Sequence, residues 1–132
     1  MTHHLLVTPD RSNFTDLSLA IKARGGFINW AASGHQALAI LSQTTVDLVV
    51  ADETLGDMTG LEFIKRVVAV NPMINCAAVS SLSKAAYHEA SEGLGLLMQL
   101  PPSPGEAEGE RLMASLNQVL KLTPAKRQGT TR

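Results

Sequence analysis

One aspartate stands where carboxylates commonly do chemistry. Asp52 directly follows residues 46–51, a largely apolar run that ends abruptly at this acid. A continuously hydrophobic strand is typical of a central position in a parallel sheet. Open α/β sheets bind ligands at the carboxyl ends of their strands, and a carboxylate there can attack a phosphoryl group to form an acyl phosphate. Asp52 is therefore the first candidate residue for such chemistry, and the alternative is a solvated acid that only ends a strand.

The hydrophobic pattern predicts five strands that alternate with five helices. Phe14, Leu17 and Ile21 recur at helical spacing after a cap at Ser12 or Asn13. Right-handed crossovers then predict an α/β fold with a doubly wound parallel sheet. The predicted strands cover residues 5–8, 27–32, 46–51, 74–79 and 96–98. A turn is predicted at residues 33–34, and the later helices are predicted around residues 37–41, 61–68, 84–91 and 106–122.

Composition and length predict one globular domain. The chain has 132 residues, of which 45% are hydrophobic and 17% are charged. The formal net charge of -1 gives no electrostatic reason to expect binding to nucleic acid or to an anionic membrane. No apolar run is long enough to span a membrane. We therefore predict a cytoplasmic domain over residues 1–122, a flexible tail over residues 123–132, and an inert buried thiol at Cys76.

The spacing of Asp52, Met58 and Gly60 resembles the receiver domain of bacterial two-component response regulators. The resemblance implies a flavodoxin-like receiver fold with strand order 2-1-3-4-5 and five flanking helices. It also implies that Asp52 accepts a phosphoryl group from a histidine kinase. Such a domain is no enzyme beyond its own phosphorylation and dephosphorylation.

The resemblance implies further site residues at the ends of the strands. These are two acids after the first strand, a Ser or Thr after the fourth, and a Lys before a Pro after the fifth. Ser80 matches the hydroxyl position that contacts the phosphoryl group, with Ser81 as the neighbouring option. The lysine is absent, because Leu100 precedes Pro101. A cis peptide bond before Pro101 is a further implication, although most X-Pro bonds are trans.

The acidic pair is incomplete under either of two alignments. The spacing of the first helix favours placing Pro9 and Asp10 on the pair, which leaves Asp10 as one acid. Placing Thr8 and Pro9 there leaves none. Magnesium prefers near-octahedral oxygen coordination, usually with carboxylates and water. We therefore expect at most a weakened Mg²⁺ site at Asp10 and Asp52. The alternative interpretation of Asp10 is a residue that starts the first helix.

Two functional interpretations follow. The first is a phosphorelay receiver that accepts phosphate at Asp52, and the second is a pseudo-receiver that acts as a phosphorylation-independent protein-interaction module. An enzyme or ligand-binding flavodoxin-like domain is disfavoured because no Gly-rich phosphate loop follows the first strand. The expected partners are a histidine kinase or another signalling protein. A homodimer would use the fourth helix, fifth strand and fifth helix, with residues 84–91, 96–98 and 106–110.

Overall fold

The structure, a computed structural model, describes residues 2–122. Strands and α helices alternate along this part of the chain, and the predicted tail over residues 123–132 lies outside it. No helix within it has both the length and the apolar character that crossing a membrane requires. The strands are β1 His3–Val7, β2 Phe27–Ala31, β3 Leu48–Ala51, β4 Asn75–Val79 and β5 Gln99–Leu100. The helices are α1 Thr15–Ala23, α2 Gly34–Leu41, α3 Gly60–Val70, α4 Lys84–Ala90 and α5 Glu106–Leu122.

The five strands form one parallel sheet in the order β2-β1-β3-β4-β5. This order confirms the doubly wound flavodoxin-like fold. Val7 pairs with Ala51, so the residues that follow them, Thr8 and Asp52, leave the sheet side by side. We call the edge at which the strands end the carboxyl edge.

The core lies on both faces of the central strand β3, all four residues of which are buried. Val49 and Ala51 face one apolar cluster, which includes Phe63 of α3. Leu48 and Val50 face the other cluster, which includes Leu17 of α1 and Leu112 of α5. Successive strand side chains point to opposite faces, so burial on both faces explains the continuous apolar run before Asp52.

Three local predictions were wrong, and two of them concern the region around β5. The fifth strand is Gln99–Leu100 and not residues 96–98. Gly93 and Gly95, with φ of 84° and 63°, turn the chain after α4, and regular pairing with β4 begins only at Gln99. The described peptide bonds, including the one before Pro101, are all trans, the isomer that X-Pro bonds prefer.

The third difference is at the start of the first helix. A short 3-10 helix, Arg11–Phe14, precedes α1, and its N-cap is Asp10 rather than Ser12 or Asn13. The Asp10 carboxylate accepts hydrogen bonds from the Ser12 backbone N–H at 3.0 Å and from Ser12 Oγ at 2.7 Å. Of the two interpretations of Asp10, a metal ligand or a helix-start residue, the structure shows the second.

Helix α4 is weakly anchored, because Tyr87 is the only buried residue of Lys84–Ala90. The Tyr87 hydroxyl is buried and has no hydrogen-bond partner among the described residues. Burial raises the pKa of Tyr87 to about 12. A buried hydroxyl without a partner is a net cost to the folded state.

We expect Tyr87→Phe to raise the free energy of unfolding by about 1 kcal/mol, because it removes the unpaired hydroxyl and keeps the ring. Urea denaturation of the two proteins would measure the difference. A loss of stability in Tyr87→Phe would show that the hydroxyl has a stabilising partner.

Candidate functional site

The carboxylate of Asp52 accepts three hydrogen bonds from uncharged donors at the carboxyl edge. Its Oδ2 accepts from Thr8 Oγ1 at 2.7 Å and from Asn13 Nδ2 at 3.0 Å. Its Oδ1 accepts from the Glu53 backbone N–H at 2.8 Å. The β1–β3 register brings Thr8 beside Asp52, and the 3-10 helix brings in Asn13. Both carboxylate oxygens are thus engaged within the protein.

Thr8 also organises the chain that follows β1. Its side chain is almost fully buried, and Oγ1 accepts the Asp10 backbone N–H at 3.1 Å. The hydroxyl has a second acceptor, the Asp10 carbonyl, at 3.0 Å. The Asp10 carboxylate is turned to Ser12, and these hydrogen bonds hold the pKa of Asp10 below its usual value. The structure therefore gives Asp52 and Asp10 different partners.

The donor set at Asp52 is a poor fit for Mg²⁺. This ion is usually held by one or two carboxylates with water in near-octahedral geometry. Here Thr8 and Asn13 direct hydrogens at the Asp52 carboxylate, and the carboxylate of Asp10 binds Ser12. No group of three or more acidic, His or Cys side chains suited to a metal occurs within residues 2–122.

Ser80 and Ser81 bind different groups at the end of β4. Ser80 is buried, and its Oγ accepts the Leu82 backbone N–H at 3.1 Å. Ser81 instead donates from its backbone N–H and its Oγ to Glu53 Oε2, at 3.0 and 2.9 Å. The structure therefore brings Ser81 to Glu53, the residue after Asp52. The Ser80 hydroxyl accepts a hydrogen bond from within its own loop.

Leu100 lies at the end of β5 and is fully buried. It belongs to the same apolar cluster as Phe14 and Leu112. Its carbonyl accepts the Ser80 backbone N–H at 2.9 Å. The position that the resemblance assigns to a lysine is therefore part of the hydrophobic core, and the salt bridges within residues 2–122 include none to Asp52.

The spacing between Asp52 and Gly60 has a steric cause. A Cβ atom on Gly60 would lie 2.1 Å from the carbonyl oxygen of Asp52. The Gly60 N–H donates to the Glu53 carbonyl at 2.9 Å. Only glycine lets the start of α3 approach the end of β3 this closely, so Gly60 fixes the loop that follows Asp52.

The same loop is attached to α2 through Asp57. The Asp57 carboxylate accepts the backbone N–H groups of Gly34 and His35, both at 2.9 Å. The His35 ring also lies 2.6 Å from Asp57. These hydrogen bonds, led by the one from the His35 N–H, lower the pKa of Asp57 to about 2. The loop that follows Asp52 is thus attached to α3 through Gly60 and to α2 through Asp57.

Three residues around Asp52 were missed in the sequence: Thr8, Asn13 and Glu53. In the sequence Thr8 stands out only as a replacement for an acid, although a strand end beside Asp52 is a natural place for a hydrogen-bond donor. The position of Asn13 in the sequence indicates only a helix cap. Glu53 directly follows the candidate nucleophile, but nothing in a single sequence indicates that its side chain reaches Ser81.

Comparison with known proteins is consistent with this geometry. The family model described as the response regulator receiver domain matches residues 5–100. The transcriptional regulatory protein ZraR of Salmonella typhimurium is 33% identical over 79 residues, which are 60% of this chain. The match covers only 18% of that protein, so the chain spans less than a fifth of the length of this curated relative.

Solved structures of low sequence identity share the fold. The chemotaxis response regulator CheY4 of Vibrio cholerae has a TM-score of 0.78 at 19% identity, over 88% of this chain and 98% of that one. A CheY-like receiver domain protein of Methanospirillum hungatei has a TM-score of 0.79 at 18% identity, over 92% and 98% of the two chains. With the family model covering most of the described residues, the chain belongs to the response regulator receiver domain family.

Proposed function

We propose that this receiver domain acts as a protein-interaction module in signalling and does not depend on phosphorylation of Asp52. The observation that carries the proposal is the set of uncharged partners of Asp52, namely Thr8 and Asn13. Phosphoryl transfer relies on cations that offset the negative charge of the transferred oxygens. At this site, the Asp52 carboxylate instead accepts hydrogen bonds from an uncharged hydroxyl and an uncharged amide group.

The surroundings of Asp52 support the same conclusion. Leu100 is buried hydrocarbon and supplies no charge. Asp10 is committed to Ser12 as a helix cap. A phosphoryl group on Asp52 would therefore add negative charge beside Glu53, with no cationic side chain from these positions to balance it. The expected partners are other signalling proteins, which include a histidine kinase.

The rival interpretation, a receiver phosphorylated at Asp52, also has an observation in its favour. The Asp52 side chain is half-buried and not closed off from solvent. It stands at the end of β3, where nucleophiles of open α/β sheets are found. A direct binding measurement separates the two interpretations.

We expect no saturable response when beryllofluoride, a phosphoryl analogue, is titrated with Mg²⁺ in excess. The single tryptophan, Trp30, reports on the site, because the Arg11 guanidinium lies 5.0 Å from its ring centre. Arg11 is the first residue of the 3-10 helix that contributes Asn13, so occupation of the site would disturb the emission. Intact mass after incubation with a small acyl phosphate checks the same point covalently.

The matched control is Asp52→Asn, which keeps the size of the side chain and removes the nucleophile. A saturable Mg²⁺-dependent change in Trp30 emission that Asp52→Asn abolishes would overturn the proposal. So would a mass increase of one phosphoryl group that this variant lacks. Either result would establish Asp52 as a phosphoacceptor.

A further inference from the structure

A carboxylate next to Asp52 joins two loops of the carboxyl edge. Glu53 is the second residue of the loop between β3 and α3, and Ser81 lies in the loop between β4 and α4. Glu53 Oε2 accepts both the backbone N–H and the hydroxyl of Ser81, at 3.0 and 2.9 Å. Hydrogen bonds to a charged acceptor are stronger than neutral ones. Two donors from one residue also fix the orientation of Ser81 as well as its position.

Glu53 is itself held by backbone contacts. Its N–H donates to Asp52 Oδ1 at 2.8 Å, and its carbonyl accepts the Gly60 N–H at 2.9 Å. A short series of hydrogen bonds thus runs from Asp52 through Glu53 to Ser81. Because the backbone of Glu53 is fixed, its side chain can hold the loop between β4 and α4 in place relative to the end of β3.

The loop between β4 and α4 is held from the other side by β5. Gln99 Nε2 donates to the carbonyl oxygens of Ser80 and Leu82, at 3.2 and 2.9 Å. The next residue, Ser83, caps α4 by accepting the Ala86 N–H at 3.2 Å. Within α4 itself, only Tyr87 is buried. The position of α4 therefore depends largely on the loop that precedes it.

We propose that the Glu53–Ser81 pair is a latch that sets the position of α4. While the pair is formed, the loop is drawn toward the end of β3 and α4 is held against the sheet. When the pair is broken, the loop keeps its contacts with Gln99 and Leu100 of β5, and α4 moves more freely. The latch goes beyond the proposed function, because it couples the two loops whether or not Asp52 accepts a phosphoryl group.

Amide hydrogen exchange of the full chain tests the latch. We expect Glu53→Ala to accelerate exchange at the Ser81 amide and in α4 by about tenfold, the factor that corresponds to loss of about 1.4 kcal/mol of hydrogen bonding. Ser81→Ala keeps the backbone N–H donor and should accelerate α4 less. The double variant should be no faster than Glu53→Ala, since both substitutions break the same contact.

The matched control is Glu62→Ala, which removes an exposed carboxylate of α3. The partner of Glu62 is Arg66 on the same helix, at 3.0 Å, so the pair joins no loops. Exchange in α4 that is equal in Glu53→Ala and Glu62→Ala would overturn the latch. Acceleration shared equally by α1 and α5 would overturn it as well, because it would indicate general destabilisation.

Glu53→Gln keeps the inference testable if Glu53→Ala unfolds. The amide retains one acceptor oxygen but loses the charge, so we expect α4 to exchange faster than in wild type, with α1 and α5 unchanged. Unchanged exchange in α4 would contradict the latch. No phosphoryl analogue is present in these measurements, so failure of the latch and failure of the proposed function are distinguishable.

Discussion

Gly60→Ala is expected to destabilise the domain severely, by about 4 kcal/mol or more, a loss comparable to the whole stability of many domains. The added Cβ would lie 2.1 Å from the Asp52 carbonyl oxygen, a backbone atom that cannot move without shifting the end of β3. The start of α3 would have to retreat, and the Gly60–Glu53 hydrogen bond would be lost. Urea denaturation would give the change in free energy of unfolding.

Gly56→Ala is the matched control, because it lies in the same loop but in open space. Its φ of +87° is unfavourable for alanine, yet a Cβ atom on Gly56 would have no neighbour within 4 Å. We expect a cost of about 1–2 kcal/mol from the backbone conformation alone. Equal costs for the two substitutions would show that α3 can move away from Asp52 easily.

Acidification from pH 6.5 to pH 4 is expected to lower the free energy of unfolding by about 3 kcal/mol through one residue, His4. His4 is fully buried in β1, and this burial lowers its pKa to about 4, from an ordinary value of 6.5. Between these values the unfolded chain binds a proton that the folded protein does not. The stabilisation by neutral His4 is therefore complete above pH 6.5 and is lost as the pH falls.

Urea denaturation at several pH values, compared with His4→Leu, measures this contribution. The variant cannot titrate at this position, so its free energy of unfolding should change much less between pH 6.5 and pH 4. His88→Gln removes an exposed histidine of α4 and should keep the pH dependence of the wild type. Asp57, with a pKa of about 2, affects stability only at lower pH. Identical pH profiles for His4→Leu and wild type would contradict the assignment.

Much of the fold could be predicted because burial leaves a periodic trace in the sequence. The doubly buried β3 appeared as an apolar run, and the first helix appeared through Phe14, Leu17 and Ile21. The fifth strand was misplaced because residues 96–98 are apolar but lie in an irregular approach to the sheet. Apolar character alone does not separate a strand from a packed connection.

The site was predictable in position but less so in its contacts. Asp52 was located by the strand that it ends, and the register of β1 and β3 was implicit in the fold. Its partners were not predictable, because a hydrogen bond depends on side-chain direction as well as residue type. Asn13 reaches Asp52 from a 3-10 turn, and Ser81 rather than Ser80 reaches Glu53. Which side chain reaches Asp52 or Glu53 is determined by the conformation of the folded loops.

The burial of Leu100 makes a lysine at this position costly for the fold. A single Leu100→Lys substitution would exchange fully buried hydrocarbon for an ammonium group in the apolar cluster that includes Phe14. Burial of an unpaired charge costs several kcal/mol, and the carboxylate that would pair with it already has Asn13 as a donor. A lysine at this position would therefore lower the stability of the domain unless the surrounding apolar side chains changed with it.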